Sequence, residues 1–372
     1  MKILYITTIG ATMEFFIGFV KELIHNGHSV DIATNQAISK VPEVYKDLGC
    51  KIYNISCTRS PLNKATFKAI GEIKKIANEN NYDLVHCHTP IAAMCTRLAC
   101  INSRKKGTKV FYTAHGFHFY KGAPIKNWLI YYPIEKLCSY FTDVLITINK
   151  EDYALAQRKM KAKKVEYVPG VGIDTKRFLD FQFSDERKME IRKEIGVPEN
   201  AKLLLSVGEL NENKNHKVVL ETLSLLKDKN IHYAVAGTGN KEEYLKNLAI
   251  ELGVEERFHL LGYRNDLEKI YKVADCFVHP SFREGLPVSA MEAIACGLPC
   301  IVSKIRGNED LVEDGVNGFL CNPFNQKEFA DAINKLINDS ELHKKMSQSN
   351  VEAAKKFEVD NINQEMMKIY FN

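Results

Sequence analysis

Residues 276–302 read Cys276-Phe-Val-His279, then Pro280-Ser-Phe-Arg-Glu-Gly-Leu-Pro-Val-Ser-Ala-Met-Glu-Ala-Ile-Ala-Cys-Gly-Leu-Pro299, then Cys300-Ile-Val302. A short apolar run enters a loop, Pro287 stands where a first helical turn starts, a helix runs to Gly297, and a second apolar run follows. Proline at the start and glycine at the end punctuate a helix. Strand, helix and strand in succession form a unit of parallel sheet, since parallel strands need a crossover.

The same alternation extends in both directions. Apolar β-rich runs at 2–7, 30–34, 51–55, 84–87, 110–113, 144–147 and 165–168 make one series. Runs at 203–207, 232–236, 258–261, 276–279, 300–302 and 318–321 make a second. Helical stretches at 13–26, 64–80, 126–140, 216–227, 241–252, 288–296 and 328–338 lie between them. Continuous apolar strands imply parallel sheets covered on both faces. The reading is α/β, with two Rossmann-like domains and a helical tail from 339. Val168-Pro-Gly-Val-Gly-Ile-Asp174 and the charged stretch 184–194 read as a linker, placing the boundary near 175–200.

Composition narrows the classes. The chain has 372 residues, 45% hydrophobic and 26% charged, which suits a folded protein of two or three domains. No apolar run approaches the ~18–20 residues that span a bilayer. The N-terminal run reads as a buried strand and not as a signal peptide. Ten cysteines are scattered without a Cys-x-x-Cys pair, as expected for reduced thiols in a cytoplasmic protein. Residues 1–175 carry 24 Lys and Arg against 14 Asp and Glu, a balance of +10, and the remainder balances at −5. A basic half suits an anionic partner, although solvated lysines read the same way.

Ligands of open α/β sheets bind in the loops after the strands. Glu284 lies in such a loop and Glu292 in the second turn of the helix that follows. Gly285 allows close approach to the backbone, and free amides at the helix start attract anions. Two carboxylates around an anion site suit a phosphorylated sugar. A dipole-favouring acid and a solvated glutamate are the plain alternative. His86-Cys87-His88 offers only two metal ligands, so no metal is expected. Ala236-Gly-Thr-Gly239 lacks a third glycine and reads as a strand-to-helix turn. Residues 117–133 are rich in aromatics, with Lys121 and Lys126 and no acid. They suit a membrane surface or a lipid-linked diphosphate, or else an ordinary core helix.

Glu284 and Glu292, inside Ser-x-x-Glu-Gly-Leu-Pro-x4-Glu-Ala-x-Ala-x-Gly-x-Pro, resemble the Glu-x7-Glu signature of retaining GT-B glycosyltransferases, and most of all of family 4 enzymes of capsule and exopolysaccharide assembly. The resemblance covers essentially the whole chain. Asp83-Leu-Val-His-Cys-His-Thr-Pro90 is similar to the family's strand-loop element and Thr113-Ala-His-Gly116 to its active-site histidine loop. Residues 168–174 with Phe178 are similar to its interdomain element, and Ser206-Val-Gly-Glu-Leu-x3-Lys214 matches its phosphate element in part.

The resemblance implies two Rossmann-like domains facing across a cleft. Residues 1–175 would bind the acceptor, 176–358 the nucleotide-sugar, and a helix at 359–372 would return to the first domain. It implies a UDP-sugar as co-substrate, with no cofactor and no metal. Glu292 would take the ribose hydroxyls, Lys214 the diphosphate, and Glu284 the transferred sugar, with His115 near that sugar. Gly10, Gly208, Arg283, Gly285, Leu286 and Pro287 would complete the substrate contacts.

The implied reaction is retaining transfer of a hexose or N-acetylhexosamine to a lipid-linked or other saccharide acceptor. The enzyme would be cytoplasmic and peripheral on the inner face of an anionic bacterial membrane. A UDP-sugar epimerase and a non-catalytic nucleotide-sugar-binding protein are the other readings; nucleic acid is not an expected partner. One departure stands out. Glu209 occupies the place of the family's arginine, five residues before Lys214. A like charge ~4 Å from a phosphate would cost about 4 kcal/mol at an effective dielectric of ~20. Either Glu209 turns away or Arg283 or Arg306 compensates.

Overall fold

The computed structural model describes residues 1–58, 60 and 63–371. Contacts divide the chain into two compact units. One comprises Met1–Val171 with Ile362–Asn372, the other Gly172–Asn361.

The first unit holds seven strands: β1 (Lys2–Ile9), β2 (Ser29–Asn35), β3 (Ile52–Asn54), β4 (Leu84–His88), β5 (Lys109–Ala114), β6 (Val144–Thr147) and β7 (Lys164–Tyr167). They lie in the order β3-β2-β1-β4-β5-β6-β7 with every pairing parallel. Alternation along each strand feeds two cores. Leu4, Ile6, Val85, Cys87, Val110 and Tyr112 pack on one face. Ile3, Tyr5, Leu84, Phe111 and Ile146 pack on the other. Because Ile3 pairs with Leu84 and Tyr5 with His86, the imidazoles of His86 and His88 share the face of Tyr5.

The second unit holds β8 (Lys202–Val207), β9 (Ile231–Ala236), β10 (Phe258–Gly262), β11 (Cys276–His279), β12 (Cys300–Ser303) and β13 (Gly318–Cys321). Their order is β10-β9-β8-β11-β12-β13, again parallel. In both sheets the strand order reverses at the centre, between β1 and β4 and between β8 and β11. Loops leaving those central strands flank the crevice where ligands of open α/β sheets bind.

Two expectations are corrected. Residues 184–194 form a helix, Asp185–Glu194, and not a linker. The Ser184 hydroxyl accepts from the Arg187 amide, acids occupy the first turn and bases the last. Ile191 is buried, and Arg192 donates to the carbonyls of Ala201 and Val273 and to Asp275. The charges of this stretch are capping and tethering groups. The expected helix at 13–26 is a 3₁₀ segment, Gly10–Phe16, followed by an α-helix, Ile17–His25. Gly10 is buried under the 39–40 loop, where a Cβ would come within 2.5 Å of the Ser39 carbonyl oxygen. The chain must tighten there before a regular helix begins.

The tail forms helices Ser340–Ala354 and Val359–Phe371. In the first unit, Tyr370 is buried against Phe19 and Phe111 and hydrogen-bonds the Tyr5 hydroxyl at 2.7 Å. Among the described residues no helix is long and apolar enough to cross a membrane. All ten cysteines are free thiols.

Candidate active site

In the second unit, β8 and β11 are adjacent and their outgoing loops meet. Lys214 Nζ donates to Glu284 Oε1 at 2.8 Å, and His279 Nε2 lies 3.0 Å from the same oxygen. Glu284 is largely buried, which by itself would raise its pKa. Hydrogen bonds from His279 and Lys214, together with the Lys214 charge, reverse that and hold it well below the usual range. The carboxylate is therefore ionised throughout the physiological range.

The Lys214 loop is shaped by close backbone contacts. Gly208 lies beneath the lysine stem, where a Cβ would stand 3.2 Å from Lys214 Cε. The turn after β9 supports the loop from below. A Cβ on Gly237 would meet the Gly208 carbonyl oxygen at 1.9 Å, and one on Gly239 the Leu210 oxygen at 2.4 Å. The glycines of the 236–239 turn thus serve the neighbouring loop. Asn215, with φ +52°, begins the helix His216–Leu225 and donates through Nδ2 to the carbonyls of Pro280 and Pro323. This amide ties the ends of three strands together.

Glu209 is exposed, and its carboxylate accepts from Asn211 Nδ2 at 2.9 Å. The two candidate compensating cations differ. Arg306 is buried and its Nε donates to the Glu284 carbonyl at 3.2 Å, whereas Arg283 exposes its side chain while its backbone oxygen accepts from Asn213. Gly285, Leu286 and Pro287 follow directly. Leu286 and Pro287 are buried, and Pro287 is the N-cap of the helix Val288–Ala295, one residue earlier than its expected place inside the first turn.

Glu292 faces a different environment on that helix. The Tyr271 hydroxyl donates to its Oε2 at 2.9 Å. Burial pushes the Glu292 carboxyl up to about 7; the Tyr271 hydrogen bond and the Arg177 charge oppose this, and Glu268 reinforces it. Arg177 is itself paired with Glu268 at 2.7 Å. Tyr271 is held by Phe178, edge-on at 6.0 Å. Phe178 belongs to the helix Thr175–Leu179, which Asp174 caps. Phe178 thereby buttresses Glu292 through Tyr271. Sequence reasoning missed His279, Tyr271, Arg177 and Glu268. Only the apolar strand-end position of His279 beside Pro280 offered a signal.

The first unit places His115 and Gly10. His115 Nε2 lies 3.1 Å from His88 Nδ1. His86 bonds Thr113 Oγ1 through Nε2 at 2.8 Å and shares a hydrogen bond with Tyr370 through Nδ1. Burial lowers the pKa of all three rings, His86 to about 3 and His115 to about 4, so they are neutral. His88 and His115 line an open pocket walled by Phe15, Phe16, Ile146 and Met366. Among the described residues no three His, Cys, Asp or Glu side chains cluster as metal ligands.

Within 117–133, Phe117 and Phe119 are buried and stacked at 4.8 Å. The helix Ile125–Ser139 buries Glu135, Cys138 and Ser139 and exposes Ile125, Leu129, Ile130 and Leu137. At about 100° per residue those four and Lys126 fall on one side.

Comparison with known proteins accords with this geometry. Residues 187–353 match the family model "Glycosyl transferases group 1", and residues 2–149 match "Glycosyl transferase 4-like". EpsD of Bacillus subtilis (strain 168), named as a glycosyltransferase, is 36% identical over 99% of this chain and 96% of its own. The Escherichia coli UDP-Gal:alpha-D-GlcNAc-diphosphoundecaprenol alpha-1,3-galactosyltransferase is 30% identical over 74% of this chain and 72% of its own. The structure of Anabaena HepE in complex with UDP-glucose superposes with a TM-score of 0.82 at 21% identity, covering 100% of this chain and 99% of HepE. The two parallel Rossmann-like units are those of the GT-B fold, and the chain belongs to the group 1, family 4-like glycosyltransferases.

Proposed function

We propose that this glycosyltransferase is retaining and metal-independent. It moves a hexose or N-acetylhexosamine from a UDP-sugar to a saccharide carried on a polyprenyl diphosphate, in surface polysaccharide or glycan synthesis. The observation that carries this reading is the Lys214–Glu284 pair at the ends of the two central strands, with Glu292 on the next helix. Lys214 takes the diphosphate and stabilises the charge that builds as it departs, with Arg306 and the amides of the 285–288 turn in support. Glu292 accepts from the ribose hydroxyls. Glu284 orders the sugar and favours positive charge at the anomeric carbon. Departure and attack occur on one face, and the leaving diphosphate helps take the acceptor proton. His115 supplies a neutral hydrogen-bonding group on the acceptor side.

The relatives support the substrate classes. The Escherichia coli enzyme is named for UDP-galactose and a diphosphoundecaprenol acceptor, and HepE is seen with UDP-glucose. The exposed apolar side of the helix Ile125–Ser139, with Lys121 and Lys126, supports docking at the inner membrane face. The test is UDP release from UDP-glucose, UDP-galactose, UDP-N-acetylglucosamine and UDP-N-acetylgalactosamine with a synthetic GlcNAc-diphospholipid, and anomeric analysis of the product by NMR. Acceptor-dependent UDP release with an α-linked product is expected. No turnover with any donor, or an inverted product, defeats the reading.

A further inference from the structure

We infer that His279 is a positioning residue that fixes the orientation of Glu284 toward the donor sugar. The inference rests on the reading that Glu284 faces that sugar. β11 ends at His279, whose ring is 2% exposed and stacks on Phe277 with centroids 5.8 Å apart. Its Nε2 lies 3.0 Å from Glu284 Oε1 and 3.2 Å from the Ser281 hydroxyl. Lys214 donates to the same Oε1. One carboxylate oxygen thus receives both donors, and Oε2 makes no hydrogen bond among the described residues. It is the oxygen left for a sugar hydroxyl.

The two donors are not equivalent. Lys214 ends a flexible four-carbon stem, and an incoming diphosphate competes directly with Glu284 for its ammonium. His279 has no such freedom, because its ring is buried and stacked at the end of a central strand. Burial and the nearby Lys214 charge also keep the ring neutral, so it offers an N–H to the carboxylate without cancelling its charge. When Lys214 turns to the diphosphate, His279 alone holds Oε1, and Oε2 keeps its aim. A carboxylate free to rotate at that moment would lose the alignment on which transfer depends.

The test compares His279→Ala, His279→Gln and Glu284→Gln with wild type. Steady-state UDP release is measured with the UDP-sugar and GlcNAc-diphospholipid that wild type turns over, and UDP affinity by calorimetry. We expect His279→Ala to lower kcat about 10- to 100-fold. UDP affinity should stay within a few-fold, since UDP carries no sugar for Glu284 to meet. His279→Gln should recover most of kcat, because its amide nitrogen reaches the place of Nε2. If His279→Ala keeps kcat within two-fold while Glu284→Gln is inactive, the inference fails and the role of Glu284 stands. If Glu284→Gln itself keeps wild-type kcat, the underlying reading fails. If both His279 variants lose UDP affinity and kcat together, the ring serves packing and the inference is overturned.

Discussion

Lys214 and Glu284, 70 positions apart, meet at 2.8 Å where the loops after β8 and β11 converge. A cation suited to a diphosphate and a carboxylate suited to a sugar thus form one unit before any donor arrives. The pair is partly buried, with side-chain exposures of 20% and 13%, so its charges are screened less than those of a surface pair.

Replacing Lys214 by Ala should abolish most turnover while the fold persists. The neutral side chain cannot offset charge on the leaving diphosphate. A steady-state rate within a few-fold of wild type, with an unchanged melting curve, would remove Lys214 from the mechanism.

Nucleotide binding should depend on pH through Glu292. In the proposed mechanism the ionised carboxylate accepts two ribose hydroxyls, and burial has raised its pKa to about 7. UDP affinity should therefore rise as pH increases through about 7 and level off above it. Glu292→Ala should weaken UDP binding by about 1.5–3 kcal/mol above that pH, and Glu292→Gln should flatten the profile. For the unliganded fold the sign is opposite. The unfolded carboxyl titrates near 4.5, so the native state holds the extra proton between there and about 7, and this group's contribution to stability falls as pH rises across that window. Calorimetry and thermal melts across pH 5–9 check both slopes.

Under the proposed mechanism, in which Lys214, Arg306 and backbone amides supply the positive charge, activity should be unaffected by EDTA. A large loss restored by Mg²⁺ or Mn²⁺ would reassign the electrostatic role to a metal.

Glu135 should be a stability hot spot. Arg97 is fully buried and makes a bidentate pair with Glu135, which joins the helix Ile125–Ser139 to the helix Pro90–Ala99. Glu135→Ala strands a buried guanidinium and should cost about 3–5 kcal/mol in chemical denaturation. The double change Arg97→Met with Glu135→Leu should recover much of that loss.

Lys121→Gln with Lys126→Gln should weaken sedimentation with phosphatidylglycerol vesicles about 10-fold or more, at ~1 kcal/mol per lysine, and high salt should act likewise. If wild type stays in the supernatant at low salt, the membrane reading fails and a soluble acceptor takes its place. The donor site would be untouched, because it rests on the other unit.

By itself, the sequence determined the alternation of strands and helices, the two sheets, and the placing of Glu284 in a loop with Glu292 on the following helix. These are local properties. Apolar runs bounded by Gly and Pro report strand and helix directly, and the nine residues 284–292 of loop and following helix carry both carboxylates. Only the tertiary structure decided that Lys214 reaches Glu284, that His279 shares its oxygen, and that Tyr271 and Glu268 surround Glu292. It also decided that Arg97 finds Glu135, and that the charged run at 184–194 is a capped helix. Those outcomes depend on which strands become neighbours and on how deeply each group is removed from water. Both are set by long-range packing, and no spacing within the chain encodes either one.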